Sequence, residues 1–440
     1  MLKRLSPLDL FLVVFILMYY GRLSVVLFVP QYAIDYGIPE SCLSLHFAML
    51  SVGSALSNVI AIVLLRHVNP RKMFLFIGVV SAAYELLLYF SPTPESLIVS
   101  GLLIGLAAGT FWSLTFLVVC ELIDAYRLST TIAFSRYNVI STVMAALTPL
   151  AAGIIVHQVG YGVWLISALG FLILSTAVIA FLKDPVYGKT YGHYPIREDL
   201  SKVLSNKRAL VTFVLTMLFM TLTVSTWASM SRIFFANIGI RNVWLGLLSV
   251  TVSIVTITIF YLLARRRISS RRMIATLGIV IFGAEMLLLA FINDPLIIFL
   301  LEGIVGTSGV AAVAFATQNI IKNTFQERTY IGRPAFAFGM YVANAVWFTV
   351  CGYLVAHFGG YAAVGSLLGV TVSQFGMRAF FLVMAAIAAA WAITMWKYDG
   401  HMVRDGAVRD STVRETLNRR SVNRSGGVEN RRDTEAESRA

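Results

Sequence analysis

From residue 10 to residue 30 the chain reads LFLVVFILMYYGRLSVVLFVP, twenty-one residues with a single charge, Arg22. At about 1.5 Å per residue, a helix of this length covers the roughly 30 Å of a bilayer's hydrocarbon core. Eleven more runs of the same kind follow, over 43–65, 73–91, 97–121, 131–157, 161–182, 210–235, 243–264, 273–292, 296–321, 334–357 and 374–396. A backbone in lipid must satisfy its own hydrogen bonds, and these runs are far longer than barrel strands, so they read as helices. Composition agrees. Of 440 residues, 58% are hydrophobic and only 13% charged, whereas a soluble domain carries about a quarter charged residues. That excludes an ordinary soluble enzyme, a disordered chain and a fibrous one. The first run follows Lys3 and Arg4 as a signal peptide would, but its length, its Arg22 and the lack of a small-residue cleavage site make it a first membrane helix. Cys42, Cys120 and Cys351 have neither metal-ligand spacing nor the pattern of a disulfide framework.

The net charge of +13 is explained by where the charges fall. In alternate connections, starting from the N-terminus, Lys plus Arg number 2, 3 (66–72), 1 (122–130), 6 (183–208), 5 (265–272), 3 (322–333) and 10 in the tail, 30 of 35 in all. The opposite connections hold Arg241, with Arg378 near the start of the last run; Arg22, Arg136 and Arg232 lie inside runs. Basic residues mark the cytoplasmic side. Both termini are therefore expected in the cytoplasm, in a multi-pass protein of a cell membrane, the inner membrane in a bacterial setting. Topology and lipid headgroups account for the basic loops, and nucleic acid is not needed as a partner.

The longest connection, 183–208, divides the runs into six and six. The two sets resemble one another at a shift of 200 residues: Arg71, Met73, Gly78, Val80, Glu85, Leu87 and Leu88 return as Arg271, Met273, Gly278, Val280, Glu285, Leu287 and Leu288, 7 identities in 18 positions. Further on, His157, Gly160 and Tyr161 return as His357, Gly360 and Tyr361. Six crossings bring the chain back to the side it left, so the repeats are parallel. The expected fold is all-α membrane: twelve transmembrane helices in two parallel six-helix bundles, 1–182 and 209–396, joined by a cytoplasmic loop at 183–208. Residues 397–440 carry 10 basic and 8 acidic residues without apolar periodicity, and read as a disordered cytoplasmic tail.

This organisation resembles the major facilitator superfamily. The loop before Met73 keeps the terminal basic pair Arg71-Lys72 of that family's signature but not its acidic residue. Asn69-Pro70-Arg71, Tyr19-Tyr20-Gly21-Arg22 with Pro30, and Arg136-Tyr137-Asn138-Val139 resemble the glycerol-3-phosphate and hexose-phosphate antiporter branch. One residue fewer separates the Tyr pair from the Arg; Tyr137 replaces a histidine, and Thr221 stands where a second substrate arginine is expected. The resemblance implies a secondary transporter.

Charges inside a membrane need a reason, because an ionised side chain at mid-bilayer costs roughly 2.5–3.5 kcal/mol on insertion scales. Arg22 lies twelve residues past Leu10, about 18 Å into the core. Its planar fork suits a carboxylate or phosphate; the structural alternative is an ion pair with a glutamate. Tyr19 shares its face, and Tyr137, Asn138, Gln318 and Asn319 complete the candidate substrate contacts, the last two reading equally well as caps of helix contacts. Arg136, nearer a helix end, reads as snorkelling or pairing with Glu121 or Asp124 at least as well as substrate contact. Arg232 reads as an interfacial or gate residue. Glu85 and Glu285 are mid-depth carboxyls expected to be neutral and hydrogen-bonded to a neighbouring helix, with proton coupling the second reading. Glu302 is the better candidate for proton coupling or a gate. Gly101-x-x-x-Gly105-x-x-x-Gly109 is a close-packing face, and Thr148 to Gly153 is a degraded antiporter motif implying a bend and tight helix contact.

No nucleotide-binding loop, metal cluster or cofactor motif is present in the sequence. The expectation is a monomeric transporter, not an enzyme, carrying a small organic anion, phosphorylated compounds included, coupled to H+ or to a counter-substrate. Proton-coupled efflux of a drug, sugar or metabolite is the alternative, and a transporter-like sensor signalling through the tail a more distant one. The topology is tested with single cysteines at residues 190–200: a membrane-impermeant thiol reagent should label them only after the cytoplasmic face is opened, and labelling from outside intact cells would reverse the orientation.

Overall fold

The computed structural model describes residues 6–64, 68–128, 130–181, 185–188, 207–265, 271–325, 329–360 and 362–396. Apart from the short turn Pro185–Gly188 and residues 207–208, the 183–208 connection lies outside the described residues, as does the 397–440 tail. Within the described residues, each of the twelve apolar runs is helical over nearly all its length. The elements are α1 (Pro7–Asp35), α2 (Glu40–Leu64), α3 (Pro70–Phe90), α4 (Pro94–Tyr126), α5 (Thr130–Phe181), α6 (Lys207–Met220), α7 (Thr226–Asn237), α8 (Val243–Arg265), α9 (Arg271–Leu289), α10 (Pro295–Leu300), α11 (Thr307–Phe325), α12 (Thr329–His357) and α13 (Phe375–Trp396). Among the described residues, ten helical segments are long and apolar enough to cross a membrane, and Met273–Leu289 is a shorter apolar helix.

Two expected boundaries take a different form. The fifth and sixth runs form one helical stretch, α5, bent where Gly160 has φ 85°. Its counterpart in the repeat, Gly360, has φ 86°, so both copies turn on a residue without a Cβ. The second addition is a β-hairpin between α12 and α13, β1 (Val364–Leu367) paired antiparallel with β2 (Val370–Ser373). Leu368 and Gly369 both have positive φ, 50° and 84°, the geometry that matches a two-residue hairpin turn to strand twist.

Helix starts follow a common rule. Ser6, Asn69, Thr93 and Asp294 each cap a helix through the side chain, and each is followed by proline, Pro7, Pro70, Pro94 and Pro295. A short polar acceptor satisfies an orphan N–H, and proline has none to lose. Asn69-Pro70 is thus one of four equivalent helix starts, which removes its weight as evidence for the antiporter branch.

The glycine stripe does what its spacing implies. A Cβ on Gly101, Gly105 or Gly109 would collide with the backbone of α2 at His46, Leu50 and Ser54. The Ser54 and Ser57 hydroxyls donate across this seam to Gly105 O, at 3.2 and 3.5 Å. Small residues let two backbones touch where lipid offers no hydrophobic drive.

Two apolar clusters organise the rest. One, including Phe15, Phe111, Val119 and Tyr187, is confined to residues 8–187. The other runs from Val25 and Phe28 to Phe381 and Met395 and joins the two sets of helices. That joint lies towards the end of the bundle opposite the N-terminus. There Gly153 meets the carbonyl of Asn242, Gly246 meets Pro149 and Leu150, and Gly352 meets Ser44. The Thr148 to Gly153 motif is therefore a contact between the two sets, as its composition implied. At the same end Asp35 accepts a hydrogen bond from Tyr161 at 2.6 Å and pairs with Arg241 at 3.0 Å. Gln31 and Asn242 exchange two hydrogen bonds beside them.

Arg378, counted at the sequence level only as an outer charge, is buried. It donates to the carbonyls of Leu289 and Ile292, to Asn293 Oδ1 at 3.0 Å and to Ser373 O at 3.2 Å, with the Phe234 ring 5.0 Å away. A cation at the C-terminal end of α9 satisfies orphan carbonyls and complements the helix dipole.

Replacing Gly105 by Val should force α2 and α4 apart. Overpacking costs about 1–3 kcal/mol, read as a lower unfolding midpoint of the detergent-solubilised protein, with Gly170→Val, where a Cβ meets nothing within 4 Å, as the neutral control.

Candidate functional site

Two groups of polar side chains lie inside the bundle, one on each set of helices. The first centres on Arg22 in α1. It is 1% exposed, and Nε, Nη1 and Nη2 have no hydrogen-bond partner among the described residues. Its guanidinium carbon lies 4.1 Å from the Phe111 ring centroid and 5.9 Å from that of Trp112. Such cation–π contact compensates part of the lost solvation, on the order of 2 kcal/mol when desolvated. Among the described residues the glutamate partner considered from the sequence is not there: the groups in electrostatic reach of Arg22 are Tyr341, Tyr19 and Tyr137.

The surrounding rings form one array. Phe15 stacks on Phe111 at 5.7 Å and meets Tyr19 at 5.4 Å and Tyr137 at 5.1 Å edge-on. Tyr19 stands perpendicular to Trp112 at 6.0 Å. The Tyr137 hydroxyl lies 3.3 Å from Thr115 Oγ1. Helices α1, α4 and α5 thus supply the array, and Tyr341 reaches it from α12. Arg232 of α7, half-buried, is in electrostatic reach of Tyr19. That tyrosine also flanks Arg22.

The second group sits where two helices of the second set widen. Residues Thr221–Ser225, between α6 and α7, and Leu301–Gly306, between α10 and α11, are π-helical. A π turn leaves a carbonyl badly placed for its usual partner. Here the next threonine repairs it: Thr226 Oγ1 donates to Thr221 O at 2.7 Å, and Thr307 Oγ1 donates to Glu302 O at 2.8 Å. The two turns are tied together by Trp227, whose Nε1–H donates to Glu302 Oε2 at 2.8 Å. Asn344 Nδ2 of α12 donates to Ser225 Oγ at 2.8 Å. Glu285, fully buried on α9, lies against Gly306 and within electrostatic reach of Glu302. The neighbouring-helix partner expected for Glu285 is thus the Glu302 carboxyl.

Of the remaining sequence candidates, Glu85 is buried, and neither oxygen has a hydrogen-bond partner among the described residues, contrary to expectation. It lies near Tyr84 and Tyr20, apart from both groups. Asn138 is exposed and turned away from Tyr137's side of the helix. Arg136 pairs with Asp9 at 3.4 Å rather than with Glu121 or Asp124. Gln318 and Asn319 fall on α11, but their side chains lie outside the described residues. The sequence reading missed Phe111, Trp112, Tyr341 and the role of Trp227. Phe111-Trp112 follows Gly109 and Thr110, and an aromatic pair at the depth of a lone arginine was the available signal.

Residues 10–349 match the Major Facilitator Superfamily, and the chain belongs to that family. Among solved structures, it is similar to two of the nucleoside transporter NupG. One, of a point mutant, gives a TM-score of 0.66 at 14% identity over 88% of this chain and 99% of that one. The other gives 0.66 at 13% over 89% and 99%. At that identity the likeness shows the fold. A comparison with curated protein sequences finds no match. The protein is a multi-pass membrane transporter, not an enzyme.

Trp227→Phe keeps the ring and removes the N–H that Glu302 accepts. A buried group left without its partner costs about 1–3 kcal/mol. The unfolding midpoint should fall in the wild-type background and barely move in a Glu302→Leu background, a double-mutant cycle that isolates the bond.

Proposed function

We propose that the protein carries a small organic anion by alternating access, the two six-helix sets rocking about a site at mid-depth. The observation that supports this is Arg22: a buried cation with three unpartnered nitrogens and no carboxylate in reach among the described residues. Buried polar groups are nearly always paired, and a bidentate anion supplies what the fold withholds. Tyr19, Tyr137 and Arg232 flank the anion. The division at 183–208, the cytoplasmic termini and residence in a cell membrane belong to the same proposal, resting on the distribution of basic residues.

Glu285 and Glu302 favour a second element, coupling to H+. Two carboxyls in one buried site cannot both ionise cheaply, so the pair holds a proton that a change of packing at the π turns can release. In this reading Trp227 reports the state of Glu302 to α7. The runner-up, proton-coupled efflux of a neutral or cationic solute, would use this pair and leave Arg22 idle. The nucleoside named for the fold neighbours enters as a competing solute.

The test is uptake into proteoliposomes of a labelled panel (organic acids, a phosphate ester, a nucleoside and an organic cation) with and without an imposed proton gradient. An anion should move, Arg22→Gln should lower its uptake at least about tenfold, and Arg22→Lys should also be impaired because the planar fork is lost. Transport of neutral or cationic solutes alone, with KM unchanged in Arg22→Gln, would overturn the anion reading.

A further inference from the structure

The wall around Arg22 says what the anion is attached to. A sugar phosphate needs many hydrogen-bonding groups for its hydroxyls and several donors for its phosphate. What surrounds this guanidinium is ring surface: Phe111 beneath it, Trp112 beside it, and Phe15, Tyr19 and Tyr137 continuing the same face. Among these, Trp112 is only partly buried, whereas Phe15, Tyr19, Phe111 and Tyr137 are buried. The Tyr137 hydroxyl lies 3.3 Å from Thr115 Oγ1, and its ring meets Phe15 edge-on.

We propose that the anion held at Arg22 is a carboxylate borne on a flat aromatic body. This rests on the anion reading above and narrows it. The guanidinium fork takes the two carboxylate oxygens in its own plane. The attached ring then lies offset or edge-on against Trp112 and the Tyr19 face, the arrangements aromatic quadrupoles prefer. An aliphatic acid satisfies the fork and wastes the wall. A phosphate ester overfills the fork and leaves its hydroxyls facing rings, a costly burial of polar groups.

The experiment is ligand-induced thermal stabilisation of the full chain in detergent. The probes are benzoate, indole-3-acetate, propionate, phenyl phosphate and glycerol 3-phosphate. The aromatic carboxylates should stabilise at concentrations at least about tenfold lower than propionate and both phosphates. Trp112→Leu should remove that advantage while leaving the weak propionate response, and Trp112→Phe should restore it. Arg22→Gln should abolish the response to every anion. If propionate or glycerol 3-phosphate equals the aromatic acids and all responses vanish in Arg22→Gln, the anion site stands and the aromatic assignment fails. If phenyl phosphate outcompetes benzoate, the ring stands and the carboxylate fails. If aromatic acids bind unchanged in Arg22→Gln, both readings fall. Should Trp112→Leu not fold, Tyr19→Leu in the same ring array carries the comparison.

Discussion

Lipid offers the backbone no hydrogen bonds, and the structure follows from that constraint. It makes every long apolar run a helix, and it makes each departure from helix conspicuous. Among the described residues, the departures at the π turns and at the end of α9 are repaired by side chains. At the two π turns the displaced carbonyls of Thr221 and Glu302 are taken by the hydroxyls of Thr226 and Thr307. At the end of α9 the carbonyls of Leu289 and Ile292 are taken by Arg378. The first kind of repair is local and leaves room for movement; the second is long-range and fixes one helix end to another. It is consistent that the widened turns border the Glu302–Trp227 contact while the capped end lies at the bundle's edge.

The two halves began alike and have been used differently. Gly160 and Gly360 still turn the chain with the same backbone angle, and Glu85 and Glu285 are still buried at the same register. Around them the environments differ. Glu285 faces a second carboxyl across Gly306, whereas Glu85 lies near Tyr20 and Tyr84. The cation belongs to the first half and the carboxyl pair to the second. A solute or proton bound to one is sensed by the other through contacts between halves, among them Tyr341 with Arg22, Arg232 with Tyr19, and the joint at Gln31, Asp35, Arg241 and Asn242.

The fold was legible because hydrophobic length and charge asymmetry are sequence-local quantities. The glycine stripe of α4 and the contact motif after Thr148 were readable for the same reason: small residues at helical spacing have one physical use in a membrane. Arg22 stood out because a charge at mid-depth is costly wherever it is found. What the sequence could not give is which rings from α4 and α5 meet that charge, since three helices distant in sequence converge there. Nor could it give the π turns, where Thr-Leu-Thr-Val-Ser and Leu-Glu-Gly-Ile-Val-Gly are ordinary strings until packing selects the wider turn. The hairpin after Tyr361 was hidden by its shortness. The reading of Arg378 failed because a loop charge and a buried cap look the same until the carbonyls it serves are known.

The place of Arg378 has a consequence for how the chain is made. The carbonyls it satisfies belong to residues 86 and 89 positions earlier. Synthesis runs from the N-terminus, so α9 is finished and inserted while its capping side chain is still inside the ribosome. Until α13 arrives, that helix end must rely on water at the membrane surface and cannot be buried without loss. The second half therefore closes late, and a ribosome stalled before residue 378 would release a chain whose ninth helix is open to quality-control proteases rather than a smaller working transporter.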